Sequence, residues 1–291
     1  MFLEQTINGL ALGSVYALIA VGYTLIFGIL GILNYAHASF YAFAANLLLM
    51  LISAHFGIIP AVILVAVLTG VFDAVYNRTL LEPLRKKHAD GVVSLITAIG
   101  FSYVLENLMI AFLGSERKAF PDVFGLKLFE FFGVKVQISQ IYMFTISIAL
   151  LLILILIVYK TKFGMSMRAV QQNTRAANLV GVNVSRTIMF TFFLSGLFAS
   201  IAGFLVASYY MMVYPKMGTT IGTKAFVAAI IGGIGVLHGS VVGGLLIGLA
   251  ECYAVFFFGA NVRDAVSFII LIILLLVRPQ GIFGKKRNIK V

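Results

Sequence analysis

Nine polar side chains lie within or at the edges of long apolar runs: Asn34, His37, Asn46, His55, Asp73, Glu106, Asn107, Lys224 and Glu251. A charge at the centre of a bilayer costs at least about 2.5–3.5 kcal/mol on insertion scales, so such groups face a protein interior or water. Acids placed this way can carry protons, and Glu106, Glu251 and Asp73 keep that chemistry open. Glu251 is the deepest, with at least eleven uncharged residues on either side. Lys224, near one end of its run, can snorkel its ammonium to the surface. His37 and His55 read more readily as hydrogen-bonded packing residues than as a relay. Asn34, His37 and Glu251 are the candidate lining of a translocation pathway.

A second constellation is basic. The stretch 159–187 is the one long polar segment with helical character. It carries Lys160, Lys162, Arg168, Arg175 and Arg186 and no acid. Arg168, Gln171, Gln172, Arg175 and Asn178 recur every three or four residues, which places them on one helical face. No Pro or Gly interrupts 165–180, so one helix of roughly 24 Å at 1.5 Å per residue is expected, with Gly164 before it and Gly181 as its stop. Such a helix either rests on anionic lipid or docks into a partner.

The elements that position these groups follow from composition. Of 291 residues, 62% are hydrophobic and 11% charged, with mean hydropathy +1.08. A soluble domain of this size has no interior large enough for so much apolar side chain. The apolar runs do not alternate, which excludes an outer-membrane barrel. The fold expected is all-α, a polytopic membrane protein with about eight or nine spans, some short or broken, and a single transmembrane unit over 1–291. The runs are 7–33, 38–56, 58–76, 92–113, 141–159, 188–213, 221–237, 240–258 and 266–277, against the ~20 residues that a span needs. Run 7–33 is long enough to break at Gly22, Gly28 or Gly31.

Net charge +11 suggests nucleic acid in a soluble protein; here the excess sits in loops, where positive-inside bias accounts for it and no nucleic-acid partner is implied. With nine spans, the loop 78–90, the loop 160–186 and the tail with Lys285, Lys286, Arg287 and Lys290 share one side. That side is expected to be cytoplasmic, with the N-terminus outside and the C-terminus inside. The only cysteine, Cys252, rules out an internal disulfide. The N-terminal run lacks a basic leader and a cleavage site, so a retained span is expected rather than a signal peptide.

Gly235, Gly239 and Gly243, continued by Gly244 and Gly248, form small-xxx-small spacings suited to close helix packing, within the chain or at a subunit interface. Residues 31–39, GILNYAHAS, match 233–240, GIGVLHGS, with one gap. Broken helices at matching positions of two halves point to a transport pathway. Motifs for catalysis or nucleotide binding are missing: there is no GxxxxGK[ST], no HExxH, no GxSxG and no metal-spaced His/Cys cluster. No cofactor or metal is implied.

Four stretches carry a family resemblance: 8–40 (NGLALGSVYALIAVGYTLIFGILGILNYAHASF), 163–186 (FGMSMRAVQQNTRAANLVGVNVSR), 222–251 (GTKAFVAAIIGGIGVLHGSVVGGLLIGLAE) and 277–284 (VRPQGIFG). The chain resembles permease subunits of branched-chain amino acid ABC importers, whose relatives include urea and amide permeases. The resemblance implies a bacterial inner-membrane permease without enzymatic activity of its own. It also implies a second related permease, two ATP-binding subunits and a periplasmic substrate-binding protein. It further implies that the basic segment is a coupling helix for the ATPase, with Arg168, Gln172, Arg175, Ala176, Ala177 and Gly181 at the contact. The broad coupling motif EAAxxxG appears as Arg175-Ala176-Ala177-Asn178-Leu179-Val180-Gly181, with Arg175 in place of the acid. Two alternatives remain open on the residues: an ion-coupled secondary transporter that depends on Glu251 or Glu106, and an importer for urea or amides.

Overall fold

Backbone N–H and C=O groups in lipid must be satisfied within their own segment, so apolar runs of this length become helices. The computed structural model describes residues 2–125, 127–131 and 134–284. The tail residues Lys285, Lys286, Arg287 and Lys290, expected on the basic side, lie outside them. Seven helical stretches among the described residues are long and apolar enough to span: α1 (Phe2–Leu30), Ile58–Lys86, which joins α3 (Ile58–Tyr76) to α4 (Glu82–Lys86), α5 (Gly91–Leu113), α6 (Ile138–Lys160), α9 (Val184–Tyr210), α11 (Leu237–Phe258), and Ala260–Val277, which contains α12 (Arg263–Val277). Two shorter apolar helices, α2 (His37–Ser53) and α10 (Met217–Gly232), complete the nine runs expected. Between α6 and α9 stand α7 (Lys162–Gln172) and α8 (Thr174–Leu179). The short strands β1 (Lys118–Ala119) and β4 (Met212–Val213) pair antiparallel, as do β2 (Leu128–Phe131) and β3 (Val134–Gln137).

The helices form two inverted halves. α1 ends at Leu30 and α9 at Tyr210; α2 begins at His37 and α10 at Met217; α3 begins at Ile58 and α11 at Leu237. The displacement is 180 residues for the first two pairs and one less for the third. α1 and α9 run antiparallel, since the Asn8 side chain meets Tyr209 at one end and Ser195 meets Gly22 further along. Packing obeys the same exchange: α1 packs on α11 as α9 packs on α3, and α1 on α10 as α9 on α2. α2 and α10 cross at the centre of this exchange, where Gly218 faces Ala38 and Ala42 and Gly222 faces Ala38. This repeat is not the one that the sequence match suggests. The stretches 31–39 and 233–240 occupy non-equivalent places, after the first helix of one half and after the second of the other.

Small residues set the close crossings. A Cβ at Gly244 or Gly248 would fall on the backbone of Ala17 or Gly13 in α1, and one at Gly239 or Gly243 on Gly232 or Ala228 in α10. The glycines at 239–248 therefore pack within the chain. Gly235 lies outside any helix, in the 233–236 break, with φ +92°. α1 is buried on nearly every side, whereas α12 presents an apolar face to its surroundings, with Leu276 and Val277 each 80% exposed. That division is the one expected of a central helix and a lipid-facing one.

One end of the bundle gathers the basic loops. Ser185 donates to Glu82 at 2.8 Å, which ties the start of α9 to α4. The ending 277–284 turns back under α10. The backbone N–H groups of Ile282 and Phe283 donate to the carbonyls of Ile231 and Gly232, acceptors that a helix C-terminus leaves unpaired. The RPQGIFG segment thereby caps a helix in the middle of the fold.

Candidate functional site

The basic segment is two helices rather than one. Thr161 caps α7 by accepting from Gly164 N–H at 3.1 Å. Gly164 sits so tightly over the end of α6 that a side chain there would strike the carbonyls of Ile157 and Val158. The single helix expected over 165–180 breaks at Asn173, whose backbone is extended and whose side chain accepts from the N–H groups of Arg175 and Ala176. Asparagine competes with helix continuation by this local bond, which makes it a strong N-cap. Gly181, with φ +87°, lets the chain leave α8, and Asn183 caps α9.

The segment has distinct inner and outer faces. Met167, Val170 and Ala177 are buried against the chain itself. Gln172, Arg175, Ala176 and Gly181 are exposed, and Arg168 lies partly covered with its guanidinium 5.3 Å from the Tyr159 ring. At the tip, Leu179 is 87% and Val180 78% exposed. Two adjacent apolar side chains standing clear of the bundle at its basic end are the most accessible apolar feature of the loop. On the inner side, the Gln171 amide donates to the carbonyl of Gly235 at 3.1 Å, and Gly28 and Gly235 adjoin. The loop is thus tied directly to the end of α1 and to the 233–236 break. Cavities of about 280 and 500 Å³ flank this tie.

Of the three pathway candidates, Asn34 and His37 lie together near the 31–36 break, and Glu251 lies apart from them. Asn34 accepts from the Tyr76 hydroxyl at 3.2 Å. His37 is fully buried, with Nδ1 3.1 Å from the Ser195 hydroxyl and its ring edge-on to Tyr23 at 4.8 Å. It packs between α1, α2 and α9, and its Nε2 has no hydrogen-bond partner among the described residues.

Glu251 is the centre of a charged cluster. It is fully buried and accepts from Tyr16 Oη at 2.9 Å and from Lys224 Nζ at 2.9 Å; Arg263 Nε lies 3.3 Å away. Lys224 also pairs with Asp264 at 2.9 Å. Lys224 does not snorkel: it stands midway along α10, 5% exposed, and its ammonium bridges the buried Glu251 and the exposed Asp264. The sequence marks Glu251 and Lys224 but misses Tyr16 and the roles of Arg263 and Asp264. Their partnership depends on α1, α10, α11 and α12 meeting, and α1 meets α11 through the glycine spacings. Asp73, buried between α3 and α9 beside Gly196, has no hydrogen-bond partner on either oxygen among the described residues.

Comparison with known proteins covers the chain nearly end to end. The family described as branched-chain amino acid transport system / permease component matches residues 5–276. The high-affinity branched-chain amino acid transport system permease protein BraD of Pseudomonas aeruginosa is 35% identical over 100% of this chain and 98% of its own length. The permease protein LivH of Escherichia coli is 34% identical over the same shares. A probable branched-chain amino acid transport permease protein LivH of Methanocaldococcus jannaschii is 31% identical over 92% of this chain and 88% of its own. No solved structure matches the chain.

Proposed function

The chain belongs to the family of branched-chain amino acid transport permease components, and from that premise we propose that it is a membrane-embedded subunit of an ABC importer for leucine, isoleucine and valine. It is a multi-pass protein of the inner membrane. The whole chain works as one permease unit, with the basic end cytoplasmic, the N-terminus outside and the C-terminus inside. Two ATP-binding subunits attach at the basic end, a second related permease completes the pore, and a periplasmic binding protein delivers substrate to the opposite end. ATP hydrolysis belongs to the partners; the sequence carries no nucleotide-binding motif.

The observation that carries this reading is the exposed Leu179–Val180 tip of α8, flanked by Arg175 and Gly181. Apolar side chains held clear of the bundle on a capped short helix fit a knob that enters a groove on an ATP-binding subunit. Ala177 is turned inward, so it shapes the knob from behind, while Leu179 and Val180 make the contact. The Gln171–Gly235 bond gives the docked loop a grip on the 233–236 break, through which a movement at the ATPase reaches α10 and α11.

The native cysteine, Cys252, is buried in α11, so an introduced cysteine can be labelled selectively. A benzophenone maleimide attached to Val180→Cys is expected to capture an ATP-binding subunit on illumination of membranes containing the complete system. The same label on Phe112→Cys, 84% exposed on α5, is expected to capture none. Capture from both positions, or from neither, contradicts docking at α8.

A further inference from the structure

The inverted repeat builds one crevice twice and leaves only one copy open. At the end remote from the basic loops, Val206, Tyr210, Met212 and Tyr214 line a cavity of about 280 Å³ beside the 211–216 break. Displaced by 180 residues, Ile26, Leu30, Ile32 and Asn34 line the corresponding crevice at the basic end, which encloses only about 10 Å³. The two differ in chemistry as well. Arg117, Lys224, Arg263 and Asp264 stand in the wall of the open crevice, whereas no charged side chain lines the closed one.

Charge in the open crevice is incompletely matched. Three cations face two carboxylates, counting Glu251 behind the wall. Lys224 is occupied by Glu251 and Asp264. Arg263 approaches Glu251 through Nε. Arg117 lies over the Tyr214 ring at 5.3 Å and has no carboxylate partner among the described residues. Asp264 is bound on one side by Lys224 and is otherwise 64% exposed. Guanidinium groups pair with carboxylates through parallel N–H donors, so Arg117 and Arg263 together suit a carboxylate. Asp264, next to Arg263 in the chain and in the same wall, suits a cation. Val206, Met217 and Ile221 add an apolar floor. The cavity is close to the ~300 Å³ at which pockets begin to enclose small organic ligands.

We propose that this crevice is the permease's own substrate-receiving site and takes an α-amino acid zwitterion. The carboxylate lies against Arg117 and Arg263, the ammonium against Asp264, and the side chain over Val206 and Ile221. A group bearing both charges answers both halves of the wall. The proposal rests on the permease function proposed above and deepens it.

The test uses the transporter assembled with its partner subunits, without the binding protein, and tritiated leucine as probe. Saturable binding is expected, displaced by unlabelled leucine but not by equal concentrations of isocaproate, which lacks the ammonium, or isoamylamine, which lacks the carboxylate. Asp264→Asn and Arg117→Gln are each expected to weaken binding at least tenfold, and Asp264→Glu to recover most of it. Thr219→Ala, outside the crevice, is expected to stay within twofold. Unchanged binding in D264N and R117Q, or displacement by isocaproate as strong as by leucine, overturns the site. So does an assembly that imports leucine with ATP yet binds none at this crevice; in that case the importer function stands. An assembly with no ATP-driven leucine uptake overturns the importer function and this site with it.

Discussion

Replacing both Leu179 and Val180 with aspartate is expected to lower ATP-driven uptake at least tenfold while the permease still accumulates in the membrane. Both side chains stand clear of the bundle, so the exchange removes almost no intrachain packing, and surface changes of that kind usually stay within about 0.5 kcal/mol of stability. At a docked interface the outcome differs. Two carboxylates would have to be desolvated without partners, and the apolar contact would be lost. A tenfold weakening corresponds to about 1.4 kcal/mol, a small part of that penalty. Uptake of labelled leucine and co-purification of the ATP-binding subunits measure the two consequences. Full uptake with normal co-purification would mean that α8 does not dock.

The second large effect is expected at Glu251. Glu251→Leu leaves Arg263 without its buried counter-charge and the Tyr16 hydroxyl without an acceptor, and removing one member of a buried ion pair costs about 3–5 kcal/mol. Marginal stability leaves little room for such a loss, so strongly reduced membrane accumulation is expected. Lys224→Met should be milder, because Glu251 keeps Tyr16 and Arg263 while Asp264 is solvated. The double variant should accumulate better than Glu251→Leu alone, since it removes the buried ammonium that Glu251→Leu leaves with only the exposed Asp264 as partner. Quantifying folded protein by fluorescence-detected gel filtration of tagged variants ranks the three. Equal accumulation of Glu251→Leu and wild type would show that the cluster does not stabilise the fold.

The helices and the basic loop were largely legible in the sequence, because hydropathy and charge act locally. Nine apolar runs became nine helices, and Gly181 ends the basic segment as its position suggests. The break at Asn173 is equally local, but the unbroken three-and-four spacing around it gives no sign of the Asn173 cap. The inverted repeat was not legible for a different reason. Its halves share helix lengths and small residues at crossings, such as Gly70 with Gly196 and Gly13 with Gly248, and these do not require matching sequence. The matching stretches 31–39 and 233–240 both fall on breaks at the basic end, where Gly28 and Gly235 adjoin, and do not follow the repeat. The charged cluster needed the tertiary fold. Tyr16 and Glu251 are 235 residues apart, and only the glycine-to-glycine packing of α1 on α11 brings them together.

The most direct measurement is leucine uptake into proteoliposomes, with the chain reconstituted alone and with its partner subunits, driven either by ATP or by an imposed proton or sodium gradient. A permease component is expected to import only with the ATP-binding subunits and ATP, and to ignore the gradients. Gradient-driven uptake by the chain alone, lost in Glu251→Gln, would contradict that account and establish an ion-coupled carrier instead.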